Sequence, residues 1–350
     1  MNSNENIFDR LPDDVVFLIF SKLQDAKSLC LSMYVCRRFQ FIVPRVSEVF
    51  LPIPRRRAVL KDNGEEIVTI KRGFMNPVFR ILTKPFHFVS RIIKFKSRNA
   101  ENDCDSWSYY EPNDVLKPFE EIRALHLRLP CHVIQKPCSG TGKSNSKTFL
   151  RWKADFGDQL RSCVMLGAKS WTEKCKNEEN FQQTVPGSEH EQRVISDGEM
   201  KLRIVWTISC LIAASARHYM VQETVKNKKM IETVVVSDES DQGWLCMNKE
   251  QIEELKVSGG MGMECRSRLP ALRMKMWYSE KMELPGCGKV MDGATLVVIW
   301  SAGNGEAEGR STVDLVRAAF GGEGEEKVVG DFARKLVGGK KCYVLEMNSF

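Results

Sequence analysis

The feature that most constrains the fold is an apolar pattern near the N-terminus, in the segment LPDDVVFLIFSKL that begins at Leu11. Pro12 fits the first turn of a helix, where its missing N–H is not needed. Asp13 and Asp14 follow in that turn, where the helix dipole favours anions. Apolar residues then recur at i, i+1, i+4, i+5 and i+8, namely Val15, Val16, Ile19, Phe20 and Leu23. The pattern therefore predicts a short helix with one wide apolar face.

Two further short helices are predicted before residue 47. Asp25 is a candidate N-cap for the second helix, and Pro44 is expected to end the third. The apolar residues of these two helices are Leu29, Cys30, Met33, Val35, Cys36, Phe39 and Ile42. A unit of roughly forty residues is too small to bury this much apolar surface by itself. We therefore expect the leftover face to be buried on a partner.

Residues 7–46 resemble the F-box in the order of these apolar and basic residues. The resemblance is carried by Leu11-Pro12, Val15-Val16, Ile19-Phe20, Leu23, Val35-Cys36-Arg37-Arg38-Phe39 and Ile42. F-box proteins dock this element on the Skp1-type subunit of a cullin ligase, so the resemblance implies a Skp1 interface. It assigns eight residues to that interface or to its support: Leu11, Pro12, Val15, Ile19, Leu23, Val35, Cys36 and Phe39. Phe39 stands where the consensus usually has tryptophan.

Residues 47–118 are predicted to be a basic, partly disordered linker. They contain several prolines, the run Arg55-Arg-Arg57 and a polar stretch from Ser97 to Asp105. Residues 51–100 hold twelve basic and three acidic side chains, a net charge of +9, whereas the whole chain carries +7. This excess indicates nuclear import, contact with an acidic partner, or simply a solvated linker.

Residues 119–350 are predicted to form a mixed α+β domain with one long apolar helix packed on a sheet. The alternating segment 122–129 indicates a strand, and residues 199–226 give the strongest helix signal. Further strands are predicted near 162–168, 271–278, 294–300 and 342–346, and shorter helices near 249–255, 312–320 and 327–336. Because strands and helices do not alternate regularly, the pattern favours α+β over α/β.

Several segments of this domain carry a second resemblance. They are residues 149–157, 162–164, 203–209, 213–219 and the terminus 345–350. Together they resemble a plant F-box subfamily, the auxin-up-regulated F-box group. The resemblance implies an SCF-type adaptor in a plant, but it does not supply a substrate. Residues 51–118 depart from the pattern, so nothing is carried over there.

The sequence does not favour membrane insertion, secretion or metal chemistry. The longest uncharged apolar stretch, Ile204 to Ala216, is thirteen residues, whereas a span needs about 20. The first residues lack the basic region and apolar core of a signal peptide. The twelve cysteines form no CxxC pair and no zinc pattern, so we expect them to be reduced and mostly buried. No catalytic, cofactor-binding or metal-binding residue is expected.

Two glycine-containing segments resemble phosphate-binding loops only in part. The segment Ser139–Ser144 ends like a Walker motif, but Pro137 stands where that motif needs glycine. The segment Gly303–Gly309 carries two glutamates, which would repel a pyrophosphate. Both segments are therefore interpreted as solvated loops. His218, on the long helix, is predicted to be a surface or capping residue.

These expectations describe a substrate-recruiting adaptor of an SCF-type (Skp1–cullin–F-box) ubiquitin ligase, in the nucleus and/or cytoplasm, and not an enzyme. The F-box, residues 1–46, is expected to bind a Skp1-like protein and through it the cullin complex. The domain at 119–350 is expected to bind an unidentified protein substrate. A nucleic-acid-associated regulator using residues 51–98 is the alternative, although the sequence favours neither nucleic acid nor a membrane as a partner. A nucleotide-binding enzyme using Lys143 is a third hypothesis.

Overall fold

The computed structural model describes residues 7–53, 112–130, 148–173, 195–258, 270–284, 288–302, 311–339 and 342–347. Three helices come first: α1 (Asp13–Leu23), α2 (Ala26–Met33) and α3 (Arg37–Ile42). Short 3-10 turns flank them at Ile7–Arg10 and Val43–Arg45. Asp25 caps α2 as predicted, because its carboxylate accepts the Ser28 backbone N–H at 2.8 Å.

A ten-stranded mixed sheet forms the centre of the remaining described chain. Its strands are β1 (Glu48–Pro52), β2 (Ala124–Leu129), β3 (Phe149–Phe156), β4 (Leu160–Ala168), β5 (Ser170–Glu173), β6 (Thr233–Asp238), β7 (Gly243–Met247), β8 (Leu272–Glu283), β9 (Lys289–Ser301) and β10 (Cys342–Met347). The order across the sheet is β1-β2-β6-β7-β3-β4-β9-β8-β10, and β5 pairs with β9 outside this path. The β1–β2, β2–β6 and β3–β7 pairs are parallel and the others are antiparallel. This topology confirms the α+β prediction.

Helices cover both faces of the sheet. They are α4 (Pro112–Leu116), α5 (Asp197–Asn227), α6 (Lys249–Ser258), α7 (Thr312–Ala319) and α8 (Glu325–Val337). Successive side chains of a strand point to opposite faces. On β4, Cys163 and Met165 therefore join a first core with α4, α5 and α6, whereas Val164 and Leu166 join a second core with α7 and α8.

The long helix α5 confirms the strongest helix prediction to within two residues at each end. Its Ser196 cap accepts the Glu199 N–H, and Trp206 and Ala214 are buried against the sheet, as expected for core residues. By length and composition α5 is the one helix of the described ranges that could cross a membrane. Half of its most apolar window is buried inside the fold, which is typical of a core helix.

The two ends of the predicted linker 47–118 are folded, which corrects that prediction there. Glu48–Pro52 forms β1, with Val49 and Leu51 buried, and Pro112–Leu116 forms α4. Both elements are five residues long and contain proline, so neither gives a clear periodic signal. Residues 54–111, which hold the basic excess, lie outside the described residues. The same is true of both glycine-containing segments.

His218 is a core residue, which corrects the prediction that it lies on the helix surface. The residue is completely buried, and its ring stacks on Phe156 with ring centroids 4.5 Å apart. Its Nε2 lies 2.9 Å from the Gly157 carbonyl oxygen. Burial lowers the pKa of His218 to about 4. The imidazole is therefore neutral at pH 7 and serves to pack α5 on the sheet.

We expect His218 to make the fold sensitive to mild acid. In the unfolded chain its pKa returns to about 6.5, so the unfolded state binds the proton first as pH falls. The free energy of unfolding therefore drops between about pH 6.5 and 4, by about 2 kcal/mol from pH 7 to pH 5. Urea unfolding at the two pH values measures this difference, and His218→Gln should remove most of it. Equal pH dependence in both proteins would contradict the prediction.

Candidate functional site

Helix α1 has one buried face and one exposed apolar face. Val16 and Phe20 point into the first core and are nearly inaccessible. At the helical spacings i, i+3, i+4 and i+8, four apolar side chains face solvent instead, each 39–60% exposed: Val15, Leu18, Ile19 and Leu23. The fold therefore leaves an apolar stripe along the whole helix uncovered by described residues.

A second exposed apolar group lies on α2, on α3 and on the turn between them. Its members are 56–89% exposed: Leu31, Tyr34, Val35 and Phe41. These four residues and the stripe on α1 together are called the N-terminal apolar surface. A single exposed leucine is ordinary on a protein surface, but eight large apolar side chains within 27 positions of one sequence indicate a binding region.

The Arg38 side chain fixes the start of α1 relative to α3. Its Nε donates to the Asp13 carboxylate at 2.7 Å, and Nη1 donates to the Phe8 carbonyl at 2.8 Å. Nη2 donates to the Leu11 carbonyl. These bonds hold the turn before α1 against α3 without placing Arg38 in the buried core. The two parts of the N-terminal apolar surface therefore belong to one ordered helical unit.

The structure exposes six of the eight residues predicted for the interface: Pro12, Val15, Ile19, Leu23, Val35 and Cys36. Leu11 and Phe39 are half-buried and pack against the first core. The Phe39 ring lies edge-on to the Phe20 ring, with centroids 4.9 Å apart. These two residues are therefore placed to support the helices, while the contact of the other six with a partner stays a prediction.

Four residues of the N-terminal apolar surface are not among the predicted interface residues: Leu18, Leu31, Tyr34 and Phe41. Leu18 follows Val15 by three residues, a helical spacing that could have identified it. For the other three no such signal exists. Their exposure depends on how α2 and α3 pack on the sheet, which is a tertiary property.

The inward faces of the three helices pack on the sheet. Four residues of these helices and the following turn are completely buried in the first core together with residues of α4 and β2: Ala26, Leu29, Val43 and Val46. Backbone hydrogen bonds also join the helical unit to the sheet. The Phe50 N–H donates to the Gln24 carbonyl at 2.8 Å, and the Arg123 N–H donates to the Ser47 carbonyl at 2.7 Å. Part of the apolar surface expected on a partner is thus buried within the chain itself.

We expect Leu29→Ala to lower the free energy of unfolding by about 2–5 kcal/mol, because Leu29 is completely buried and the change leaves a cavity. The loss should appear in β2 as well as in α2, since both share one core. Hydrogen exchange of the β2 amides, with urea unfolding, measures it. Leu31→Ala on the same helix is the matched control and should change stability by less than about 0.5 kcal/mol. Destabilisation confined to the helices would contradict a shared core.

The charged side chains inside the α+β domain form a structural pair. Arg217 Nη2 lies 2.6 Å from Asp238 Oδ2, and the guanidinium stacks 4.5 Å from the Trp152 ring centroid. Burial alone would raise the pKa of Asp238, but the Arg217 charge and hydrogen bonds from Gln242 and Ser240 lower it below its usual range. Both charges are shielded from solvent. Within the described ranges, no group of three His, Cys, Asp or Glu residues could hold a metal ion.

Comparison with known proteins agrees with the geometry of the N-terminal helices. A family profile described as F-box-like matches residues 8–46. F-box protein At1g30200 of Arabidopsis thaliana is 36% identical over 83% of this chain and 82% of its own length. From the same plant, F-box protein At5g46170 is 32% identical over 98% of this chain and 93% of its own length. F-box protein AUF1 is 30% identical over 98% of this chain and 99% of its own length.

No solved structure matches the chain. The relatives cover the helical unit and the α+β domain together, so the similarity is not confined to the short N-terminal motif. The exposed apolar stripe on α1 lies inside the segment that the family profile matches. The chain therefore belongs to the plant F-box proteins, resembles their auxin-up-regulated subfamily, and shares the general role of F-box proteins as SCF-type adaptors.

Proposed function

We propose that this chain recruits a target protein to an SCF-type ubiquitin ligase. Its helical unit docks on a Skp1-like subunit, and its α+β domain binds the target, which is then ubiquitinated and degraded. The N-terminal apolar surface is the observation that carries the proposal. Fully burying one large aliphatic or aromatic side chain contributes roughly 1.5–3 kcal/mol, so a partner that covers even part of this surface gains a substantial free energy.

In this proposal the chain positions the target protein and takes no chemical part in the reaction. It holds a lysine of the target near the thioester of a conjugating enzyme, and this raises the effective concentration of the lysine. The shared core of helices and sheet supports the proposal, because it fixes the two binding regions relative to each other. We further propose that the complex acts in the nucleus and/or cytoplasm.

Binding to a Skp1-like protein is the direct test of the ligase side. The full chain and a purified plant Skp1-like protein should co-elute as a stable complex on gel filtration, and a cullin should join only when the Skp1-like protein is present. Failure of the two proteins to associate at micromolar concentration would contradict the proposal. The double variant Leu11→Ala with Pro12→Ala is a poor test of this interface, because half-buried Leu11 also supports the fold.

Identifying the target proteins requires a variant that loses Skp1 binding but still folds. Proteins that accumulate in plant cells when Ile19→Glu replaces the wild-type chain are the candidate targets. Removing the whole helical unit would also expose Leu116 and Leu125, which share its core. The point variant therefore separates loss of recruitment from loss of folding. No accumulating protein, despite lost Skp1 binding, would contradict a degradative role.

A further inference from the structure

The two edge strands of the sheet, β1 and β10, differ in whether another described part of the chain covers their outer side. At β1 the outer edge meets the helical unit, because the Phe50 N–H donates to the Gln24 carbonyl at 2.8 Å and Asp25 forms an isolated bridge with Phe50. At the opposite end β10 pairs only with β8, from Cys342↔Trp277 to Met347↔Leu272. No strand of the described ranges lies on its other side. Strand β10 therefore presents a row of open backbone N–H and C=O groups.

Strand β10 has few of the features that commonly protect such an edge. Proteins use proline, charged side chains, bulges or very short strands for this purpose. β10 has six residues in unbroken register, contains neither proline nor glycine, and carries one charged residue, Glu346. Tyr343, Leu345 and Met347 pack against the first core and anchor the strand, whereas Val344 on the other face is 65% exposed. A regular, anchored and partly apolar edge suits the addition of another strand.

The side chains beside this edge determine which strand would fit. Val344 lies opposite Lys275, whose Nζ is 5.6 Å from the Trp300 ring centroid. Arg273 is on the same face and is ion-paired with Glu346 at 3.4 Å. Among the described residues of this face, the two cations Lys275 and Arg273 thus stand against one carboxylate, Glu346, which favours an incoming segment that alternates acidic and apolar residues.

We propose that β10 is the docking edge for an extended, acidic segment of the target protein, which adds to the sheet as an eleventh strand. The inference rests on the proposed adaptor function, since it assigns the target-binding half of that function to one strand. A target on β10 and a Skp1-like subunit on the helical unit could be bound at the same time. β1, which is joined to the helical unit, and β10 lie at opposite ends of the strand order, eight strand spacings or about 38 Å apart. A target on β10 therefore leaves the N-terminal apolar surface open.

A second copy of the chain would fit this edge less well. The β10 strand of a second copy carries a single acidic residue, Glu346, which is already ion-paired with Arg273. It would therefore bring no free carboxylate to Lys275, whereas an acidic segment would. Dimerisation through β10 is nevertheless a separate possible result, and the Val344 variant described below would reveal it.

Selection from a random-peptide phage library, using the full chain in complex with a Skp1-like protein, tests the proposal. Enriched peptides should carry acidic residues alternating with apolar ones, and their affinity is measured by fluorescence anisotropy. Val344→Glu places a carboxylate on the edge strand, where it would repel an acidic segment, and should weaken binding at least tenfold. Val257→Glu, at an 82% exposed site on α6, is the matched control and should leave affinity unchanged. Lys275→Glu should weaken the acidic peptides as well.

Hydrogen exchange distinguishes strand addition from contact by side chains alone. A bound peptide should slow exchange of the backbone amides of residues 342–347. Selected peptides that bind Val344→Glu as tightly as wild type, protection confined to another region, or no enrichment at all would each overturn the proposal. Dimerisation that Val344→Glu abolishes would also overturn it. If the Skp1-like complex forms while peptide selection fails, only this inference fails; if that complex does not form, the proposed function itself fails.

Discussion

Replacing Ile19 by glutamate is expected to weaken binding of the full chain to a Skp1-like protein by at least about 100-fold. Ile19 lies at the middle of the exposed stripe of α1, between Val15 and Leu23. A carboxylate there would lose its water without gaining a partner when the surface is covered. A loss of about 2.7 kcal/mol is already 100-fold in affinity, and truncating a hot-spot residue near the centre of an interface costs about 2 kcal/mol or more.

The same variant should unfold at the wild-type urea concentration, because Ile19 is outside both cores. Isothermal titration with a purified Skp1-like protein measures the affinity. Val257→Glu introduces the same charge at an exposed valine of α6 and should bind like the wild type. Full affinity of Ile19→Glu would show that the stripe on α1 is not the interface. Tyr34→Ala and Phe41→Ala then test the other half of the N-terminal apolar surface.

Asp238→Ala is expected to lower the free energy of unfolding by about 3–5 kcal/mol, because it leaves the buried Arg217 charge unpaired. The Asp238 carboxylate also accepts the backbone N–H groups of Gln242 and Gly243, at 3.0 and 3.2 Å, so the variant loses these two hydrogen bonds of the β6–β7 turn as well. Urea unfolding at pH 7 measures the change.

The double variant Arg217→Met with Asp238→Leu is the informative control. Removing both charges avoids an unpaired buried ion, so we expect the double variant to be more stable than Asp238→Ala. Because the folded pKa of Asp238 is lowered, its stabilising effect is present above about pH 4 and is lost as the pH falls further. That range lies below the His218 range. A loss under 1 kcal/mol in Asp238→Ala would contradict the role assigned to the pair.

Elements with a strong local period could be predicted from the sequence. The apolar run of α5 and the alternating β2 segment lie close to their predicted bounds, because burial on one face repeats every 3.6 or 2 residues. Strand β1 could not be found in this way. It is five residues long, ends at Pro52, and pairs with β2, more than 70 positions later in the chain. The alternation within β2 reveals that strand but not its partner, and five residues are too few to reveal β1.

The exposure of residues at the candidate site also depends on non-local packing and could not be predicted from the sequence. A consensus identifies which residues of α1 are apolar, but only the packing of α2 and α3 on the sheet decides that Leu29 is buried and Leu31 exposed. His218 is the opposite case, a polar residue that was predicted to be exposed and is buried. A polar residue in an apolar helix suggests a surface position, yet stacking on Phe156 and a bond to Gly157 satisfy it inside the core.

The junction at Ser47 determines how this protein could be recombined with others. The matched motif ends at residue 46, but Val49 and Leu51 of the next strand are buried in the core that the helices share. A chimaera cut at residue 46 would therefore divide a folded unit, and one residue inserted there would turn the buried face of β1 outward. In the proposed ligase, we expect this shared core to keep the α+β domain in one orientation relative to the bound Skp1-like subunit.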